Sequence, residues 1–83
     1  MRDEIRNAVR EHLLADVLVG EDPSNLTDTL PLRTSGIIDS MGTIRLTGFL
    51  EERFGIRIEA HETGVENFDT VDSIVAFVES KQA

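Results

Sequence analysis

With 83 residues, 40% of them apolar, no Trp or Tyr and four Phe, the chain supports one small and mainly aliphatic core. Its lack of cysteine excludes disulfides and a protein thiol as nucleophile or metal ligand, so any thiol chemistry has to come from an added group. Sixteen acidic against eight basic side chains give a formal charge of −8, which repels nucleic acid and anionic membrane. That charge suits docking onto basic patches of other proteins, or it serves only to keep the chain soluble.

Residues 2–19 predict a first helix. Ile5, Ala8, Val9, His12, Leu13 and Val17 recur at spacings of three and four. Asp3 and Glu4 stand in the first turn, where the helix dipole favours them, and Gly20 ends the helix. Met1-Arg2-Asp3-Glu4 reads as the polar start of this helix, and no targeting leader is expected. No stretch approaches the roughly 18 apolar residues of a membrane span, so a cytoplasmic protein without membrane insertion is expected.

The turn formers gather in the connection that follows: Asp22-Pro23-Ser24-Asn25, then Pro31, then Ser35-Gly36. A connection this long is uncommon in a compact domain and is usually functional. Leu26, Leu30, Leu32 and Ile37 punctuate it, which predicts a loop pinned onto the core.

Residues 40–54 predict a second helix with Thr43, Leu46, Phe49, Leu50 and Phe54 on one face. Gly42 and Gly48 each cost about 1 kcal/mol relative to Ala, so they mark places of close approach. Ile44 falls off the core face and is expected to be exposed just beyond Ser40. Gly55 closes the helix, and Ile56-Arg57-Ile58 reads as a short extended piece. Residues 61–68 predict one helical turn or two. Thr70 or Asp72 then caps a last helix with Val71, Ile74, Val75, Phe77 and Val78 as its apolar stripe, and residues 79–83 are expected to fray. The fold class expected is all-α, a small four-helix bundle with a long loop between helices 1 and 2 and a short third helix, with residues 1–83 as one domain.

The stretch Thr34-Ser35-Gly36-Ile37-Ile38-Asp39-Ser40-Met41-Gly42-Thr43 joins the loop to helix 2. Asp39 or Ser40 can simply cap that helix, since both residue types are preferred there. Alternatively Ser40 stands exposed at the helix N-terminus, where orphan N–H groups and the dipole favour a phosphate, and its hydroxyl suits attachment of a phosphorylated arm.

Other chemistries fit poorly. No metal site is expected, with two His, no Cys and no paired-His spacing. A calcium loop over residues 22–33, through Asp22, Ser24 and Asp28, fails because Thr27 replaces the sixth-position glycine and Arg33 the bidentate Glu. A serine hydrolase would need a base, for which His12 and His61 are the candidates, and Ile38 stands where Gly-x-Ser-x-Gly requires its first glycine. Neither a Walker nor a Rossmann glycine loop is present. One exposed serine without catalytic company suits a protein that carries a group better than one that transforms it, so the chain is not expected to be an enzyme.

Ile37-Ile38-Asp39-Ser40-Met41 resembles the Asp-Ser-Leu attachment motif of acyl carrier proteins and related aminoacyl carriers. Thr34-Ser35-Gly36 resembles the preceding loop end, Phe49-Leu50-Glu51-Glu52-Arg53-Phe54-Gly55-Ile56 the end of helix 2, and Glu66-Asn67-Phe68-Asp69-Thr70-Val71-Asp72-Ser73-Ile74 the entry into the last helix. The resemblance covers most of residues 26–80, and the first helix is similar in pattern only. It implies that Ser40 carries a 4'-phosphopantetheine arm transferred from coenzyme A by a phosphopantetheinyl transferase (holo-carrier synthase). It also implies that Asp39 helps position the serine and the transferase's magnesium ion. The arm's terminal thiol would hold cargo as a thioester on a protein without cysteine. Further implied partners are a loading ligase and downstream synthase or transferase enzymes.

The second helix departs from the strongly acidic one usual in fatty-acid carriers, because Arg45, Thr47 and Gly48 dilute it and leave Asp39, Glu51 and Glu52. Ile38-Asp39-Ser40-Met41-Gly42-Thr43 also resembles D-alanyl carrier proteins, whereas the Gly-Gly-x-Ser motif of many peptide-synthetase carriers is absent. The main expectation is a monomeric acyl carrier serving acyl or aminoacyl thioesters in a specialised pathway. The alternatives are a D-alanyl or other aminoacyl carrier and an unmodified acidic interaction module. Met41, Ile44, Glu51 and Glu52 are the expected partner face, with Arg45 contributing selectivity by rejecting wrong partners.

Overall fold

The structure is a computed structural model that describes residues 2–82. Four α-helices follow in chain order: α1 (Arg2–Asp16), α2 (Ser40–Phe54), α3 (Val65–Phe68) and α4 (Val71–Gln82). Single 3-10 turns at Pro23–Asn25 and Ala60–Glu62 interrupt the connections, and the described residues contain no strand. The all-α four-helix expectation holds.

Helix α1 buries Ile5, Ala8, Val9 and Leu13, the stripe that spacings of three and four place on one side. It ends three residues earlier than the pattern predicts. The Leu13 carbonyl accepts from both Val17 N (3.1 Å) and Leu18 N (2.9 Å), so the winding loosens into a turn. Gly20, at φ +85°, completes that turn in a conformation that side chains resist. Val17 and Leu18 still pack against the core, while Val19 is exposed. Apolar periodicity therefore runs past the helix that it helps to define.

The long connection is pinned as its leucines predict. Leu26, Leu32 and Ile38 are buried at 2%, 0% and 2% exposure, with Leu30 and Ile37 packed beside them. Arginines of α1 fasten the loop's polar backbone: Arg10 donates to the carbonyls of Pro23 (3.0 Å) and Leu26. Arg6 lies between Asp28 of the loop (3.3 Å) and Asp72 of α4 (3.4 Å), and Asp72 N donates to the Asp28 carbonyl (3.0 Å).

Helix α2 starts and stops where the sequence predicts. Asp39 is its N-cap, accepting from Gly42 N at 2.8 Å, and Gly55 closes it at φ +64°. Gly42, Thr43, Leu46 and Leu50 are buried; Phe49 and Phe54 sit half-buried at the edge of the core, a shallower placement than their shared face suggests. Phe49 instead stacks on His12 of α1, with ring centroids 4.6 Å apart and planes 19° apart. The extended piece after Gly55 carries buried Ile58, whose N–H donates to the Glu51 carboxylate at 2.9 Å.

Residues 61–68 hold part of the 3-10 turn and then the four-residue α3, in line with one helical turn or two. Of the two candidate caps for α4, Thr70 is the one used. Ser73 N donates to Thr70 Oγ1 (3.0 Å) and Thr70 N to Ser73 Oγ (3.1 Å), a reciprocal pair that satisfies two orphan donors. The end of α4 does not fray as expected: it stays helical through Gln82, tied by Lys81 to Glu62 (2.7 Å) and by Glu79 to Arg2. Ala83, the last of the residues expected to fray, lies outside the described residues. Helix α4 packs chiefly on α1 and α3, and α2 leans on α1, so the exposed side of α2 faces away from the bundle.

Candidate functional site

The two readings of the loop–helix junction prove compatible, because different residues satisfy them. Asp39, extended at φ −93° and ψ −172°, caps α2 through its Oδ1, and its carbonyl accepts from Thr43 N (2.9 Å) and Thr43 Oγ1 (2.9 Å). Those bonds serve the amides of Gly42 and Thr43. Ser40 is the first helical residue and is exposed, and among the described residues its hydroxyl has no hydrogen-bond partner. Among the described residues the amides of Ser40 and Met41, at the positive end of the helix, likewise donate no hydrogen bond.

Gly42 explains how the junction stays tight. A Cβ there would lie 3.1 Å from Ile38 Cγ2, 3.3 Å from Asp39 Oδ1 and 3.4 Å from Val17 Cγ1. The expected close approach is therefore internal, between α2, its own cap and the end of α1. Gly48 differs, since nothing lies within 4 Å of the Cβ it lacks.

Two stripes run along α2 from this end. Ser40, Ile44, Thr47 and Glu51 recur every three to four residues on one face. That face borders an open groove of about 390 Å³ with Ile58, Ala60 and Thr63 on its far side. Met41, Arg45, Gly48 and Glu52 form the second stripe, and all four are exposed. Of the expected partner residues, Met41 (59% exposed), Ile44 (63%) and Glu52 are open to solvent. Glu51 is half-buried and accepts the Ile58 N–H. Arg45 is held by Asp16 of α1 at 2.9 Å, so its charge is partly matched within the chain.

Behind the junction lies a second carboxylate that sequence reading did not single out. Asp69 Oδ1 accepts from the backbone N–H groups of Arg33 and Thr34, each at 2.9 Å, and its Oδ2 accepts from Thr34 Oγ1 at 3.2 Å. These bonds hold its carboxyl below the ordinary carboxylate value, the Thr34 amide having the largest effect. Asp69 is 36 residues from Arg33, and no local signal in the sequence pairs them. Among the described residues no group of His, Cys, Asp or Glu could hold a metal ion.

The site fits a tethered phosphate-bearing group: a primary hydroxyl and two unpaired amides on exposed residues at a helix N-terminus. The sequence agrees with that reading. Residues 4–78 match the family described as "Phosphopantetheine attachment site". The chain belongs to this family of carrier proteins, whose prosthetic group is 4'-phosphopantetheine. When bound, that group supplies a thiol on a flexible arm. Among curated proteins the chain is similar to a D-alanyl carrier protein of Lacticaseibacillus casei, 39% identical over 83 residues, covering 99% of this chain and 100% of that protein. It is also 40% identical over 62 residues to D-alanyl carrier proteins of Streptococcus gordonii and Streptococcus thermophilus, covering 75% of this chain and 77% of each of theirs.

Proposed function

We propose that Ser40 carries the phosphopantetheine arm and that the whole chain acts as one cytoplasmic, non-catalytic carrier of an aminoacyl thioester, with D-alanine as the leading cargo. The observation that carries this reading is end-to-end similarity to a protein named as a D-alanyl carrier. It favours the aminoacyl alternative over the general acyl carrier that was the main expectation. The diluted charge of α2 supports the same choice, since Arg45 and Gly48 occupy the exposed stripe beside Glu52.

In arm transfer, Ser40 Oγ loses its proton and bonds to the phosphorus of the pantetheine-bearing phosphate of coenzyme A, and adenosine 3',5'-bisphosphate leaves. The chain contributes an exposed nucleophile with no internal hydrogen bond to break. Asp39 Oδ1 is engaged by the helix cap, which leaves Oδ2 free to face the transferase's metal ion. Met41, Ile44 and Glu52 form the docking face for the transferase, a loading ligase and the enzyme that takes the cargo. Glu51 supports that face by holding the Ile58 backbone.

Apo protein is incubated with coenzyme A, magnesium and a broad-specificity transferase, then weighed intact. One added phosphopantetheine mass is expected, absent in Ser40→Ala. The holo protein is then offered to a D-alanine-activating ligase and to a fatty-acyl ligase in parallel. Loading by the first and not the second supports the aminoacyl reading; the reverse would restore the general acyl carrier.

A further inference from the structure

Asp69 stands at the corner between α3 and α4, and its carboxylate serves neither helix. Its backbone N–H closes α3 on the Val65 carbonyl (3.1 Å), and α4 is capped by the Thr70–Ser73 pair. Among the described residues, all the hydrogen bonds that its side chain accepts come from Arg33 and Thr34. Two further bonds grip the segment: Leu32 N donates to the Asp69 carbonyl, and Arg33 Nη1 to the carbonyl of Thr63, which precedes α3 (2.6 Å).

The segment so held leads directly into the attachment serine. Ile38 N donates back to the Leu32 carbonyl (2.9 Å), closing residues 32–38 into a loop whose two base residues are buried at 0% and 2% exposure. Gly36, at φ +82°, turns the tip. Ile38 then touches the space beside Gly42, and Asp39 caps α2. The path from Asp69 to Ser40 thus runs through the amides of residues 33 and 34, the closed loop, the Ile38 packing and the cap.

We propose that Asp69 is a positioning residue for modification of Ser40: it clamps the 32–38 loop, and so sets the direction in which the N-terminus of α2 presents the hydroxyl. The role rests on Ser40 being the residue that takes the arm. Without the clamp, two amides lose their acceptor, and the loosened loop holds Ile38 less firmly against the start of α2. The serine is then held less often in the pose from which it reacts. Its reaction with coenzyme A slows, while coenzyme A binding, which belongs to the transferase, does not change.

The test compares wild type, Asp69→Asn and Asp69→Ala in the transferase assay, read by intact mass at varied carrier and varied coenzyme A. Asp69→Ala is expected to lower kcat/KM for the carrier about tenfold, the scale of a modest misplacement of reacting groups. Asn keeps one acceptor oxygen and should lose only about threefold, and KM for coenzyme A should stay at the wild-type value in both. Amide exchange at Arg33 and Thr34 should accelerate while Leu46 and Val75 remain protected.

Adding sucrose until each variant regains the wild-type thermal midpoint separates positioning from stability. Rates that stay low support the proposal, and rates that recover fully overturn it. Wild-type kinetics in a variant whose residue 33 and 34 amides exchange freely also overturn it. If Asp69→Ala does not fold, Asp69→Asn decides on the same readouts. A wild-type protein that gains no arm overturns the Ser40 reading and this role with it, whereas the exchange data still report whether the clamp exists.

Discussion

At the residue scale, the cap that Asp39 forms and the metal contact proposed for it are separable, because a cap needs an acceptor oxygen and a metal contact needs charge. Asn is as good an N-cap as Asp, whereas Ala forfeits roughly 1 kcal/mol of helix stability. Asp39→Asn is therefore expected to melt like wild type yet accept the arm slowly. Asp39→Ala should show both the slower transfer and a lower melting temperature. Thermal melts beside the mass assay check this, and equal transfer rates in Asp39→Asn and wild type would remove the metal contact. His12 illustrates a different residue-level constraint. Its ring stacks on Phe49, and among the described residues its buried Nε2 has no hydrogen-bond partner, an Asp16 carboxylate oxygen lying 3.9 Å away. Desolvation lowers its pKa below 6.5, Asp16 opposes that and Arg45 adds to it. The unfolded chain thus takes up this proton at higher pH than the folded one. The stability involved is fully present above pH 6.5 and is lost as pH falls from there through the folded value. Denaturant melts across that window should show midpoints dropping with acid, and His12→Phe should flatten that part of the profile.

At the element scale, the two glycines of α2 are alike in sequence and opposite in structure. Gly48 has open space where a Cβ would go, so Gly48→Ala should raise stability by up to about 1 kcal/mol through helix propensity. Gly42→Ala would crowd Ile38, Asp39 and Val17, and the buried Ile38 cannot retreat freely. Crowding of this kind costs about 1–3 kcal/mol, more than the propensity gain. Calorimetry should therefore move the two midpoints in opposite directions. The core face of α2 sets the scale of its attachment to the bundle: Leu46 is fully buried, and Leu46→Ala should cost about 2–5 kcal/mol. Helix α4 illustrates how an element's end is decided by its neighbours. Residues 79–82 have little apolar content, yet they stay helical because Arg2 and Glu62 reach them from elsewhere in the chain.

At the scale of the whole molecule, the docking face proposed on the outward side of α2 belongs to a chain with a formal charge of −8. Charge reversal at Glu52 is expected to slow partner enzymes at low salt, with the difference shrinking as salt rises, because exposed charges act mainly on encounter. A salt-independent rate would move the docking surface away from this stripe. Acid acts on the molecule through a second window. The Asp69 carboxyl, held below its ordinary value of 3.8 by the loop amides, contributes stability that is present above that value and lost as pH falls through the folded one. Amide exchange at residues 33 and 34 in buffers stepped down below pH 3.8 should report that loss locally before the core opens.

Local chemistry made much of this protein readable from its residues in order. Helix periodicity, the Asp39 cap, the Gly55 stop and the exposed position of Ile44 all depend on residues within a turn or two of one another, so the chain alone determined them. The Asp-Ser motif together with its flanks, from Thr34-Ser35-Gly36 to the entry into the last helix, likewise carried the resemblance to the family. Other features depend on residues distant in sequence, and only the tertiary structure decided them. Helix α1 stops before its apolar pattern does, because Leu13 shares its carbonyl with two amides. Arg45 meets Asp16 across a helix pair, and the Glu51 carboxylate turns inward to a backbone amide. Above all, Asp69 reaches Arg33 and Thr34 across 36 and 35 residues to hold the loop in front of Ser40. A hydrogen bond of that kind has no sequence period, because its partners become neighbours only once the helices have packed.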